Sequence, residues 1–243
     1  MARKSFKAGA LTAPLPPVMV TVGDMENANV LTVGWTGILS TIPPRTYVSV
    51  RPARHSYKLL RATGEFVINL TTASQARVVD YVGIYTGAKV DKFKECGLTK
   101  IESKEVKTPT IAECPLALEC RVVEVIPMGT HDVFIADIVS VSCDDSILDE
   151  SGKIRFDKAG LLAYAHGEYY ALGEKLGKFG FSTAKAGQPK KSAKTENKPK
   201  GTPVQNKTEK KEHREGAEEN KKRPYYLDAP RKKGKPMGKG KRK

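Results

Sequence analysis

Four cysteines in 243 residues, Cys96, Cys114, Cys120 and Cys143, form no C-x-x-C pair and have no histidine at a matching spacing. Zinc and iron–sulfur ligation need such clusters, so no metal site is expected. No G-x-G-x-x-G follows a strand-like run, which excludes a Rossmann dinucleotide domain. Long apolar runs are missing too. The one from Ala10 to Val22 is broken by Pro14, Pro16 and Pro17, and nothing approaches the roughly 20 apolar residues of a membrane span. The same prolines spoil a signal-peptide helix, so the expectation is a cytoplasmic protein with reduced thiols.

Charge is present in excess but is unevenly placed. Of 42 basic and 27 acidic residues, 21 and 7 lie from Lys185 onward, which leaves the preceding 184 residues near neutrality. The net charge of +15 therefore belongs to the C-terminal segment and says nothing of nucleic-acid binding by the body. Residues 185 to 243 are rich in Lys, Glu, Pro, Gly and Asn and short of apolar residues. Such a segment cannot offset its ordering entropy, and disorder is expected. Its last stretch, RKKGKPMGKGKRK, predicts weak, salt-sensitive, nonspecific contact with nucleic acid. The division expected is a domain over 1–184 and a Lys-rich tail over 185–243.

Within the body, short strand-like runs bounded by Gly, Pro and polar turns predict a barrel or sandwich of antiparallel strands. Strands are expected at Val18–Val22, Asn29–Leu39, Tyr47–Arg51 and Phe66–Leu70, then a long pair, 116–126 and 133–143. Short helices are expected at Tyr57–Ala62, stopped by Gly64, at Gln75–Tyr81, capped by Ser74 and stopped by Gly83, and from Asp91 to Gly97.

The stretch Asn29 to Ser56 concentrates the polar chemistry. Thr32, Gly34, Thr36, Gly37, Ser40 and Thr41 surround Trp35, the single tryptophan. Small residues let backbone amides approach a ring or oxyanion, and hydroxyls add hydrogen bonds without bulk. In the following strand a period of two sets Tyr47, Ser49 and Arg51 on one face and Val48 and Val50 on the other. Arg51, Arg54, His55 and Ser56 then lead into a helix, where cations, a hydroxyl and free amides suit a phosphate. An ordinary strand next to a helix start flanked by surface charges is the plainer alternative.

The order N-x-x-T-x-x-W-x-G-x-x-S-x-x-P-P from Asn29, then VSVRPARHS and GEFVIN, resembles the flavin reductase-like, FMN-binding split-barrel family, and its flavoredoxin branch in particular. VDKF at 90–93, ECP at 113–115 and GTHDVFIADI at 129–138 extend the resemblance over roughly residues 10 to 180. It implies a mainly β fold, an antiparallel Greek-key split barrel with short peripheral helices, binding FMN and acting as a homodimer. It places Asn29, Thr32, Gly34, Trp35 and Thr36 beside the flavin ring and ribityl chain. Ser40 and Thr41 fall on polar groups of the flavin; Ser49 is a further cofactor-binding candidate, and the cluster of Arg51, Arg54, His55 and Ser56 at the helix start suits the flavin phosphate. Lys89, Asp91 and Lys92 lie over the flavin, and His131 lies near the reacting ring as the candidate catalytic residue.

The reaction so implied is hydride transfer from NAD(P)H to FMN, with electrons passed on to a small-molecule or protein acceptor. Two other functions fit the same residues. One is an electron carrier without NAD(P)H activity, and the other is a nucleic-acid-associated protein acting through its basic tail.

Overall fold

Val18–Val22 (β1) is buried at every position, so it must lie between two layers. Val18, Val20 and Val22 pack into one hydrophobic cluster and Met19 into another. On that second side Thr21 donates its hydroxyl to Pro109 O at 2.6 Å. The computed structural model describes residues 2–183; the segment 185–243, expected to be disordered, lies outside the described residues.

The remaining elements follow in chain order. Asn29–Val33 (β2), Thr36–Thr41 (β3) and Pro44–Val50 (β4) precede a helix, His55–Thr63 (α1), and Glu65–Leu70 (β5). Helices Ala76–Ile84 (α2) and Lys92–Cys96 (α3) come next, then a two-residue pair, Lys100–Ile101 (β6) and Thr110–Ile111 (β7). The long hairpin is Leu116–Pro127 (β8) and Asp132–Cys143 (β9), and a short one is Leu162–Ala165 (β10) and Glu168–Ala171 (β11). Residues 176–183 form a separate unit with a single 3-10 turn, Phe181–Thr183.

Seven strands form one sheet in the order β2-β1-β5-β8-β9-β4-β3, with every neighbour antiparallel. Its two edge strands, β2 and β3, are consecutive in the chain and joined by only Gly34 and Trp35. A link that short forces the first and last strands together at one corner, so the sheet curls into a barrel. This is the split barrel expected. The single strand expected over Asn29–Leu39 is two strands on opposite edges, because the chain crosses the seam at Gly34-Trp35.

Leu31, Val48, Phe66, Ile68, Cys120, Phe134 and Ala136 fill the barrel interior with Val18, Val20 and Val22 of β1, and Leu60 of α1 packs against them. A second cluster, Met19, Val30, Val79, Val82, Phe93 and Leu162, sits outside, under α2, α3 and the β10–β11 hairpin. Burial raises the Cys114 thiol to about 12 and pushes the Cys120 thiol up further, so both are inert hydrophobes.

Helix ends agree with the sequence in two cases of three. Gly64 takes φ 64° after α1 and Gly97 φ 62° after α3, both in the left-handed region glycine tolerates. Gly83 does not stop a helix. It lies inside α2, where an added Cβ would stand 3.3 Å from Thr32 Cβ, so its role is to let α2 cross β2 closely. Ser74 is not the cap either, since Thr72 precedes the first turn and its N–H donates to Gln75 Oε1 at 2.9 Å.

Candidate functional site

Three pockets with shared lining residues follow one another along β2 and make up a trough, divided between its second and third sections where Gly87 closes on Asn29. Its wall on one side is the approach to α1 and on the other the α2–α3 connection, and three sections succeed one another. Along β2 they pass from Gly34 through Leu31 to Asn29 and Ala28. On the α1 side they pass from Ser49 and Arg51 through Arg54 and Ser56 to Leu59, and on the third side from Gly83 through Thr86 to Phe93. Leu31 and Arg54 line both the first and second sections. Asn29, His55, Gly87 and Lys92 line both the second and third.

The first section, about 220 Å³, holds Trp35, Ser49, Arg51 and His131. Sheet register explains how residues so distant in sequence meet. Val50 pairs with Asp132, so one step further sets Arg51 beside His131, and Ser49 N–H donates to Trp35 O at 3.0 Å across the seam. Arg51 Nε–H donates to His131 Nε2 at 3.3 Å. An acceptor nitrogen is unprotonated, so the neutral ring carries its proton on Nδ1 and directs it to Thr130 Oγ1, 2.9 Å away. Partial burial, then the charges of Arg51 and Arg54, lower the His131 pKa and keep the ring neutral. Trp35 lies against it at 4.5 Å between centroids and 47° between planes, the residue being 42% exposed.

The second section is the start of α1. Arg54 occupies the N-cap position without a side-chain cap bond, and the first turn holds no acidic residue. The Tyr57 N–H is spent on Arg54 O at 3.0 Å, which leaves the His55 and Ser56 amides and the helix dipole to this section. Ser56 is buried and its Oγ accepts a hydrogen bond from Asn29 Nδ2 at 2.6 Å, which leaves the hydroxyl proton free for another acceptor. Arg54 Nη1 donates to Gly83 O at 2.9 Å and so ties the α1 side to α2. Lys92, 4% exposed, donates from Nζ to Val30 O and Val82 O, each at 2.8 Å, with a third N–H to spare. Burial first, then the charge of Arg54, lowers its pKa to about 8. A side chain at Gly87 would force Asn29 or the connection to shift, since a Cβ there would come within 2.2 Å of Asn29 Oδ1. Hydroxyl, amides, guanidinium and ammonium make a site for an oxyanion.

Most sequence-predicted residues fall on this trough, though not always where expected. Arg51, expected with Arg54 and Ser56 at the helix start, turns its guanidinium to His131 in the first section. Thr32 lines the first section, but its Oγ1 donates to Val79 O at 2.5 Å. Thr36 lies outside the trough lining, its hydroxyl spent on Tyr47 O at 2.6 Å. Ser40 and Thr41 sit at the far end of edge strand β3, also outside the trough of their own chain. His55 lines the second and third sections, and Lys89 and Asp91 the third. Asp91 is the N-cap of α3, with Oδ1 accepting from Phe93 N at 3.1 Å and Lys94 N at 3.2 Å.

Tyr164 and Tyr169 were not singled out in sequence, yet both line the first section. They are cross-strand partners in the β10–β11 hairpin, 5.2 Å between ring centroids. Tyr169 donates to Asp80 Oδ1 at 3.2 Å, and burial first raises its pKa to about 12. The H-G turn between alternating aromatics in AYAHGEYYA signals the hairpin, but not its docking, which uses a two-bond bridge between Leu15 and Tyr164.

Comparison with known proteins gives a consistent result. Residues 11–173 match the model of the flavin reductase like domain. The flavoredoxin of Desulfovibrio vulgaris (Miyazaki F) is similar in structure with a TM-score of 0.70 and 34% identity, over 76% of this chain and 100% of that one. A flavoredoxin from Methanosarcina acetivorans gives 0.68 and 27%, over 76% and 98%. An FMN-binding protein from Thermus thermophilus, solved with 1-cyclohex-2-enone, gives 0.62 and 26%, over 73% and 97%.

Proposed function

We propose, for a chain that belongs to the flavin reductase-like family, that it holds FMN along β2 and takes a hydride onto it from NAD(P)H, passing the electrons to an acceptor. The observation that carries this reading is the order of chemistry along the trough: an aromatic section with a histidine and an arginine, then an oxyanion section at a helix start. From Gly34 to Asn29 the strand advances about 17 Å, the scale of a flavin with its ribityl phosphate extended. The donor set fits a phosphate monoester, because Ser56, the α1 amides, Arg54 and Lys92 all donate. Similarity to a protein named FMN-binding adds to this.

Bound FMN supplies the hydride-accepting ring, and the chain's part is binding, orientation and charge. Trp35, Tyr164 and Tyr169 offer apolar faces that hold a planar ring and exclude water. Arg51 sets a fixed positive charge on the wall, the sign that favours a group gaining electrons. Neutral His131 fixes that guanidinium through Nε2 and holds its own proton toward Thr130. No side-chain nucleophile is required.

The homodimer is part of this reading. Edge strand β3 and its turn expose Ile38, Leu39 and Ile42 at 63, 51 and 48% beside Trp35, an apolar edge of the kind a second copy covers. Ser40 and Thr41 lie on this edge and would contact a flavin held by the partner. For the segment 185–243 the expectation of salt-sensitive phosphate contact stands as a proposal.

Anaerobic mixing of the flavin-loaded protein with NADH and with NADPH tests the reaction. Rapid bleaching of the flavin bands by either supports the reductase. Reduction only by a protein donor would leave a flavoprotein electron carrier, which the similarity to flavoredoxins favours as the second reading.

A further inference from the structure

Hydrogen bonds around the first turn of α1 close into a circuit. Tyr57 N–H donates to Arg54 O and Arg54 N–H donates to Arg51 O, each at 3.0 Å. Arg51 Nε–H then reaches His131 Nε2 at 3.3 Å, and the chain itself continues from His131 to Asp132, the first residue of β9. Tyr57 completes the path, because its hydroxyl donates to Asp132 Oδ2 at 2.5 Å. Neither Tyr57 nor Asp132 lines a section of the trough. Their chain neighbours do, Ser56 in the second section and His131 in the first.

Both ends of the closing bond are anchored. The Tyr57 ring lies edge-on to buried Phe134, 5.6 Å between centroids and 73° between planes. Asp132 is paired with Val50 of β4 and with Pro127 of β8, so it sits at the corner where those two strands end and β9 begins. A closed circuit of bonds fixes its members relative to one another more firmly than an open chain, since no link can turn without straining the rest. Without the Tyr57 hydroxyl, the path from the α1 turn to His131 runs through exposed Pro52 and Ala53 and the Arg51 guanidinium.

We infer that Tyr57 and Asp132 are positioning residues that carry the seating of an oxyanion at Ser56 to the imidazole of His131, so that an occupied second section orders the first. Both members of the Arg51–His131 pair are then tied to the α1 turn, Arg51 through the chain and His131 through Asp132. For its consequence in the reaction the inference rests on the flavin reading above, and it adds a coupling between the two sections. No covalent step is involved.

Inorganic phosphate, which brings no flavin ring, tests the coupling by itself. In the flavin-free full-length protein with isotope-labelled histidine, added phosphate is expected to shift the His131 ring-nitrogen resonances, identified by their absence from His131→Ala. Tyr57→Phe keeps the ring against Phe134 and loses only the hydroxyl. In that variant the shift should fall to less than half, with phosphate affinity changed less than twofold. Asp132→Asn retains an acceptor for the tyrosine and should keep the wild-type shift, whereas Asp132→Ala should behave as Tyr57→Phe does. With flavin bound, single-turnover reduction of FMN should slow about fivefold in Tyr57→Phe, the effect of a loosened reacting geometry. Reduction of riboflavin, which seats no phosphate, should change less than twofold. A phosphate-induced shift undiminished in Tyr57→Phe, or equal slowing with both flavins, overturns the coupling and leaves the flavin reading standing. A coupling seen with phosphate in a protein that NAD(P)H does not reduce overturns the reductase reading and supports the coupling. Failure of the wild type to bind phosphate overturns both the oxyanion site and the coupling.

Discussion

The side-chain amide of Asn29 donates to the Ser56 hydroxyl across 2.6 Å, joining the first residue of β2 to the first turn of α1. Because the serine oxygen already accepts, its proton is available to a ligand, and the pair acts as one oriented donor. Asn29 is itself confined by Gly87, whose missing side chain lets the α2–α3 connection close over it.

Ser56→Ala should therefore weaken FMN binding by about 1.5–3 kcal/mol, the usual cost of losing a hydrogen bond to a charged group, or tenfold and more in Kd. Riboflavin, which lacks the phosphate, should bind the variant and the wild type alike. Fluorescence titration with both ligands checks this, and equal losses for the two would place the phosphate elsewhere.

Gly87→Ala offers a steric test of the same corner. The new Cβ would collide with Asn29 Oδ1, displacing either the connection or the Asn29–Ser56 bond. FMN affinity should fall on the order of tenfold with the fold retained by circular dichroism.

His131→Ala removes the acceptor that orients Arg51 but nothing at the phosphate section. Flavin content should be nearly unchanged and single-turnover reduction should slow on the order of tenfold, the scale of a misplaced charge near the reacting ring. In the wild type the rate should hold until pH falls below the usual histidine range, because the His131 pKa is lowered. Loss of rate near pH 6.5 or above would contradict the neutral, acceptor role.

Lys92 gives a pH dependence of opposite sense for stability and for binding. Its folded pKa, about 8, lies below the ordinary 10.5, so the unfolded chain binds more protons between those values. Stability should rise with pH across that window, as the cost of the buried charge is relieved. FMN affinity should fall over the start of the same window, since the phosphate loses a cation. Lys92→Met should flatten both profiles, and riboflavin binding should show neither. Thermal melts and titrations from pH 7 to 10 read the two together.

The barrel was largely legible in sequence because its signals are local. Alternation in Tyr47 to Val50, turn glycines at 64 and 97, and the long 116–143 hairpin each depend on neighbours a few residues apart. What could not be read is set by contacts far apart in sequence. The Gly34-Trp35 seam splits a run that contains no proline or turn pair to mark a break, since only sheet closure tells β2 from β3. Arg51 looks like a phosphate ligand beside Arg54, but the β4–β9 register draws it to His131, 80 residues on. Lys92 is a site residue by resemblance, but its burial is decided by where α2 and β2 leave two carbonyls, which no local pattern shows. Tyr164 and Tyr169 owe their place to the bridge to Leu15.

The proposed dimer would use the exposed β3 edge, and Leu39→Asp should then leave a monomer by placing like charges where two apolar edges would meet. Sedimentation velocity reads the outcome. An unchanged dimer in the variant would move the interface elsewhere.

The absorption spectrum of the purified protein, recorded before and after release of the bound small molecule, tests the central claim most directly. The account predicts flavin bands from a noncovalent cofactor that is released on denaturation, restored by added flavin, and reduced in occupancy in Ser56→Ala. A protein that is colourless as purified and acquires no flavin bands or quenched flavin fluorescence when FMN is added would contradict it.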